Sequence, residues 1–200
     1  MEFSLAEWKK LKALSKKLKL DFISSVFDKE SFELSKKIIL SAYKVASSDL
    51  TDVKLLTDLS FQKKPIIIST GMGSFNEIKK ALNILKKNKA YLLHCVSLYP
   101  CPTKLINLNR MKTLSKKFNK DVGYSDHSLG INASLISISM GAKILEIHFT
   151  LDKTKKGADH ELSVDPKDLK IISDFSNKFY HSIGSGKIEP HIKEKKMRKF

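Results

Sequence analysis

Arginine is nearly missing from this chain: of 37 basic residues only Arg110 and Arg198 carry a guanidinium, and the other 35 are lysine. Specific reading of phosphates and base edges leans on the planar guanidinium fork. The lysines are also scattered over many segments and not gathered in one patch. The formal charge of +16 over 200 residues is therefore read as the lysine-plus-isoleucine drift of an AT-rich genome, and nucleic acid is not an expected partner. Cysteine is scarce too. Cys95 and Cys101 make no disulfide framework, which fits a reducing cytoplasm. No apolar run approaches the ~18 residues of a membrane span. The first twenty residues lack the basic-then-apolar order of a secretory signal. Neither G-x-G-x-x-G nor a P-loop motif is present. What is plentiful is apolar sequence, 42% of the chain, recurring along its length. That excludes intrinsic disorder and allows one domain with a real core.

Short apolar runs alternate with amphipathic stretches. The runs are Leu20–Val26, Ala42–Ser47, Pro65–Gly71, Ala90–Val96, Asp121–Ser125 and Lys143–Phe149, most of them rich in the branched and aromatic residues of buried parallel strands. The stretches between them read as helices: Lys29–Ile39, Asp52–Leu59, Ser74–Lys87, Ile106–Phe118 and Asn132–Met140. Ahead of them, Ser4 and Glu7 form a capping box, followed by an apolar stripe of Leu5, Trp8, Leu11, Leu14 and Leu18. Asp165-Pro166 opens a last helix reaching about Tyr180. Six such units predict right-handed βαβ crossovers and a parallel sheet.

An open doubly wound sheet and a (β/α)8 barrel both fit this alternation. The polar residues favour the barrel, because they cluster at several strand ends: Ser24-Ser25, Ser47-Ser48-Asp49, Ser69-Thr70, Cys95 to Ser97, Ser125-Asp126-His127, and His148. Barrel enzymes place their chemistry there, whereas a dinucleotide fold concentrates it after the first strand. Six strands are two fewer than a full barrel holds.

Four features could carry chemistry. His127 and His148 end neighbouring strands, where two imidazoles can share a divalent metal completed by water and substrate; spacing alone favours the plainer reading, in which each is an ordinary buried or rim histidine. Lys44 lies inside a strand, where an ammonium needs an anionic partner. With Ser25, Ser47, Ser69 and Ser125 it would make a phosphate or carboxylate cradle, or it snorkels to solvent. Asp159, in the loop Gly157 to His160, could accept hydrogen bonds from substrate hydroxyls or simply be solvated. Tyr99, on the rigid exit Tyr99-Pro100-Cys101-Pro102, could overhang a pocket or pack. Neither cysteine looks like a supported nucleophile.

Taken in order, the stretches FISSVFD (22–28), YKVASSDL (43–50), KPIIISTGM (64–72), LLHCVSLYPCP (92–102), VGYSDHSLGI (122–131), GAKILEIHFTLD (141–152) and GADHELSVDP (157–166) resemble the sialic acid synthase family. Its members, the N-acetylneuraminate, legionaminate and pseudaminate synthases, condense phosphoenolpyruvate with an N-acetylated sugar. The resemblance implies an incomplete (β/α)8 TIM-type barrel with the first two strands missing. Residues 1–184 would be the partial barrel, and 185–200 a basic linker stub toward an absent antifreeze-like domain. The chain would be the central portion of a longer synthase or the product of a broken gene, with little turnover alone. The family's catalytic glutamate is expected on the missing strands.

The resemblance also implies roles: His127 and His148 as ligands for Mn2+ or Mg2+; Lys44, Ser47, Ser69, Ser25 and Ser125 around phosphoenolpyruvate; Tyr99, Asp49 and Asp159, with Ser97 beside them, toward the sugar. Ser48 stands where many members have Gly, and Ser97 where some have Asn. A cytoplasmic enzyme, homodimeric at full length and without a membrane partner, is the implied setting. Two other readings stay open. One is a synthase acting on a phosphorylated aldose, for which no extra Arg cluster is visible; the other is a basic, non-catalytic binding module.

Overall fold

The six apolar runs become six parallel strands hydrogen-bonded to one another in sequence order: β1 (Ile23–Ser25), β2 (Ala42–Val45), β3 (Ile66–Ser69), β4 (Ala90–His94), β5 (Val122–Asp126) and β6 (Leu145–Ile147). This is a computed structural model describing residues 3–199; Met1, Glu2 and Phe200, which bound the two segments expected above, lie outside the described residues. Helices fill the crossovers: α1 (Leu5–Lys17) before β1, then α2 (Lys29–Ile38), α3 (Val53–Ser60), α4 (Phe75–Ile84), α5 (Asn109–Phe118) and α6 (Asn132–Ser139), with α7 (Pro166–Ser182) after β6. The register pairs Ser25 with Lys44, Val45 with Ile68, Ser69 with Leu93 and Ser125 with Glu146. A doubly wound sheet reverses its strand order part-way; this one never does.

Alternation along each strand splits the side chains between two faces. Tyr43, Val45, Ile66, Ile68, Leu92, Val122 and Tyr124 pack with Phe32, Leu55, Leu59, Ile78 and Leu114 of the helices in the main core. The intervening residues Ala42, Ile67 and Leu93, with Tyr91 and Ile144, form a second, smaller apolar cluster on the other face. That face is concave. Lys44 on β2 and Glu146 on β6 are four strands apart, which in a flat sheet means about 19 Å, yet Nζ lies 3.4 Å from a carboxylate oxygen. Only a sheet curled into part of a barrel brings them together. Gly123 permits close approach inside the curve, since a Cβ there would stand 2.2 Å from the Ile144 carbonyl oxygen.

Local signals set the helix starts. Ser4/Glu7 and Ser74/Glu77 are reciprocal capping boxes, and Asp165 caps α7 with Pro166 in its first turn. Two expectations need correction. The apolar stripe of α1 is not buried: Leu5 and Trp8 touch the core, but Leu14 and Leu18 are more than half exposed, because α1 stands beyond the edge strand β1 and its outer flank meets nothing among the described residues. The helix expected to begin at Ile106 begins three residues later, at Asn109, after a 3-10 turn at Thr103–Leu105 and a short connection. Beyond α7, residues 183–198 are exposed, with a short α8 (Ile192–Lys195) that the sequence did not suggest.

Candidate functional site

The concave face is apolar at its floor and polar at the C-terminal strand ends. Ser25, Lys44, Ser47, Ser69, Ser97, Tyr99, Ser125, His127 and His148 all line one cavity of about 610 Å3, together with Glu146, Cys95, Ser48 and Met72. Of the residues singled out from sequence, two lie outside that lining. Asp49 sits in the 3-10 turn Ser47–Asp49 that follows β2, where burial pushes its carboxyl up from the usual range and Oδ2 has no hydrogen-bond partner. Asp159 is on the loop after β6, half exposed, with a carboxylate oxygen 3.6 Å from His148 Nδ1.

Lys44 does not snorkel. It is buried, and its ammonium donates to Ser69 Oγ at 2.7 Å and to the Val45 carbonyl at 3.2 Å. Glu146 completes its surroundings and also accepts the Ser125 hydroxyl proton at 2.7 Å. Ser47 receives the Gly71 N–H at 3.1 Å and lies 3.2 Å from Cys95 Sγ. The cavity thus holds one buried cation, one carboxylate and a set of hydroxyls, a donor-rich cradle suited to a small anion. Sequence reasoning missed Glu146, reading it as part of an apolar run. The signal was there: Glu146 lies on β6 and His148 one residue past its end, two apart in extended chain, so an inward His148 implies an inward Glu146.

The imidazoles lie at the same mouth. Ring centroids of His127 and His148 are 5.5 Å apart, and the Tyr99 ring stands 4.2 Å from that of His127. His127 Nδ1 is 2.8 Å from the Val96 carbonyl, a contact only an N–H can make, so in the neutral ring the proton is on Nδ1 and Nε2 carries a lone pair. The nearest hydroxyl, Ser125 Oγ at 3.4 Å, already donates its hydrogen bond to Glu146. Burial lowers the His127 pKa, with the Val96 bond opposing and the His148 ring adding to it, so the ring is a neutral base. A lone pair lacking a donor, on a ring fixed by a backbone carbonyl, is what a metal-ligating histidine presents. No cluster of three or more His, Cys, Asp or Glu is arranged to hold a metal among the described residues. A cation here would take two imidazoles and fill its shell with water or substrate. Both cysteines are free and buried.

A family model described as the NeuB family matches residues 1–188. The chain is 41% identical over 198 residues to an uncharacterized protein of Methanocaldococcus jannaschii, covering 98% of this chain and 59% of that protein. It is 39% identical over 191 residues to an N,N'-diacetyllegionaminic acid synthase of Campylobacter jejuni, covering 93% of this chain and 57% of that enzyme. The chain therefore spans under two thirds of these relatives' length. Among solved structures, an N-acetylneuraminic acid (sialic acid) synthetase from Leptospira borgpetersenii, in complex with citrate, superposes with a TM-score of 0.91 at 36% identity, over 98% of this chain and 70% of that one. A phospho-2-dehydro-3-deoxyheptonate aldolase of Thermotoga maritima reaches a TM-score of 0.80 at 13% identity, covering 92% of this chain and 57% of that one. It shares the fold alone.

Proposed function

This chain belongs to the NeuB family, and from that premise we propose that its cavity is the phosphate- and cation-binding side of a nonulosonic acid synthase, an enzyme condensing phosphoenolpyruvate with an N-acetylated hexose such as N-acetylmannosamine. The observation that carries the reading is the meeting of buried Lys44 with Ser69, and of His127 with His148, in one cavity built by strand ends of a curled sheet. In this reading β1–β6 are six of the eight strands of a TIM-type barrel, with 1–184 its partial barrel and 185–200 a linker. The full-length enzyme is a cytoplasmic homodimer. Among the described residues no helix is long and apolar enough to cross a membrane.

The reaction forms a bond from C3 of phosphoenolpyruvate to the sugar's aldehyde carbon. Water adds at C2, and phosphate leaves to give the nine-carbon keto acid. Lys44, with Ser69, Ser25, Ser47 and Ser125, holds the phosphate and carboxylate of phosphoenolpyruvate, fixing its C3 against the acceptor. Tyr99, Ser97, Asp49 and Asp159 serve the sugar side, and Tyr99 shields the mouth from water. His127 and His148 would hold Mn2+ or Mg2+, which when bound would supply Lewis-acid polarisation of a carbonyl. The family's glutamate is expected on strands outside these six, so binding tests the assignment more directly than turnover. Calorimetric titration of the chain with phosphoenolpyruvate in the presence of Mn2+ should show saturable binding, lost in Lys44→Met. A folded chain that ignores phosphoenolpyruvate overturns the reading.

A further inference from the structure

Between the two cavity residues of β5's exit lies a buried carboxylate that faces the other way. Asp126 points into the helix side of the sheet and is 5% exposed. Its Oδ1 accepts from Ser128 N at 2.9 Å, Ser128 Oγ at 2.7 Å and Tyr124 OH at 3.2 Å, and its Oδ2 accepts from Ser134 Oγ at 2.6 Å. Among the described residues no Lys or Arg forms an ion pair with it. A carboxylate buried without a counter-ion survives only because hydrogen-bond donors replace its water. Here those donors come from the strand, from the turn after it and from the first turn of α6.

That geometry fixes the backbone at one point. Because side chains alternate across the strand, clamping Asp126 outward turns Ser125 and His127 inward. The carbonyl of His127 is held from the opposite flank by Cys101 N–H at 2.8 Å, and its ring by the Val96 carbonyl. We propose that Asp126 is a positioning residue: its four-donor clamp sets the His127 ring so that Nδ1–H meets Val96 and the Nε2 lone pair is presented to the cavity. It rests on the reading of that cavity as a phosphoenolpyruvate and cation site. Asp126 itself touches neither.

The test is Asp126→Asn in the full 200-residue chain, whose amide keeps the shape and one acceptor oxygen. Two readouts are needed. Nitrogen-15 correlation spectra of the histidine rings report the His127 tautomer with no ligand present, and a Mn2+ titration reports the site. The wild type should show the Nδ1–H form alone. Asp126→Asn should show a measurable Nε2–H population and bind Mn2+ 10- to 100-fold more weakly, as loss of an orienting partner commonly does. Ser134→Ala, which removes only the Oδ2 donor, should move both readouts in the same direction by less, and it stands in if Asp126→Asn does not fold. Wild-type tautomer in the folded Asp126→Asn chain, or in Ser134→Ala where the Asn variant fails to fold, overturns the proposal. If wild type and variants alike ignore Mn2+ while the tautomer shifts as described, the clamp stands and the reading of the cavity falls.

Discussion

Lys44 and Glu146 allow a prediction in which two substitutions at one ion pair act with opposite sign. At 3.4 Å the direct attraction is about 1 kcal/mol in bulk-water dielectric and about 5 kcal/mol at an effective constant of 20. The Glu146 side chain is 41% exposed and that of Lys44 only 9%, so solvent screens the pair from one end. The net loss on breaking it lies near the lower figure, about 1–2 kcal/mol. Glu146→Gln keeps the acceptor for Ser125 and leaves Lys44 its bonds to Ser69 and Val45. It should therefore lower the thermal midpoint by only about 2–8 °C for a chain of this size. The same change removes the negative charge that competes with an incoming anion for the Lys44 ammonium. Phosphoenolpyruvate should bind about fivefold tighter, a gain of about 1 kcal/mol. Lys44→Met deletes the cation and should abolish binding. Its fold should hold, because Glu146 can hydrate at its exposed end. Calorimetric titration at two salt concentrations, paired with urea melts, reads both effects. A folded Glu146→Gln chain that binds phosphoenolpyruvate more weakly than wild type would show that Glu146 aids the anion site instead of opposing it, and the reasoning would be wrong.

Gly123→Ala should destabilise the chain by about 3 kcal/mol in urea unfolding, because its Cβ meets the Ile144 carbonyl oxygen at 2.2 Å and a backbone atom cannot step aside as a side chain does; a wild-type midpoint would contradict the curl of the sheet at β5 and β6. His127→Ala and His148→Ala should each lose Mn2+ binding while keeping the far-ultraviolet spectrum, and retention in both would remove the two-imidazole site. Stability should fall as pH drops from about 7 toward 5. Burial lowers the His94 pKa, outweighing its bond to the Ile106 carbonyl, so the unfolded state binds more protons in that window and stability is complete only above the unfolded value near 6.5. His94→Gln, which preserves a donor to Ile106, should flatten that slope; an unchanged slope would place its origin elsewhere, the buried His127 being the group of like sign.

The β strands were legible because a parallel sheet packed by helices on one face and curled round its own side chains on the other needs mostly apolar residues, which leaves dense runs of Ile, Val and Leu. Their limits were less so. The run Leu20–Val26 shrinks to Ile23–Ser25, since a ladder ends where its neighbour ends and no residue type announces that. The α1 stripe misled for a related reason: periodicity states which face wants burial, and Leu14 and Leu18 remain exposed when no neighbour supplies it. At the site, polar residues breaking apolar runs pointed to Lys44, His127, His148 and the serines, because few other causes put them at strand ends. What the linear chain hides is partnership. Glu146 passed as part of an apolar run until the curl carried it over to Lys44, and Asp126 gained its meaning from Ser134, a full loop away. Both carboxylates follow one rule: a charge inside a strand must be answered, and alternation tells which side the answer comes from. Glu146 faces the concave side and is answered by a cation that a ligand can compete for. Asp126 faces the helices and is answered by hydroxyls and an amide that no ligand reaches. In the proposed reading, the first answers to substrate and the second keeps the site from moving.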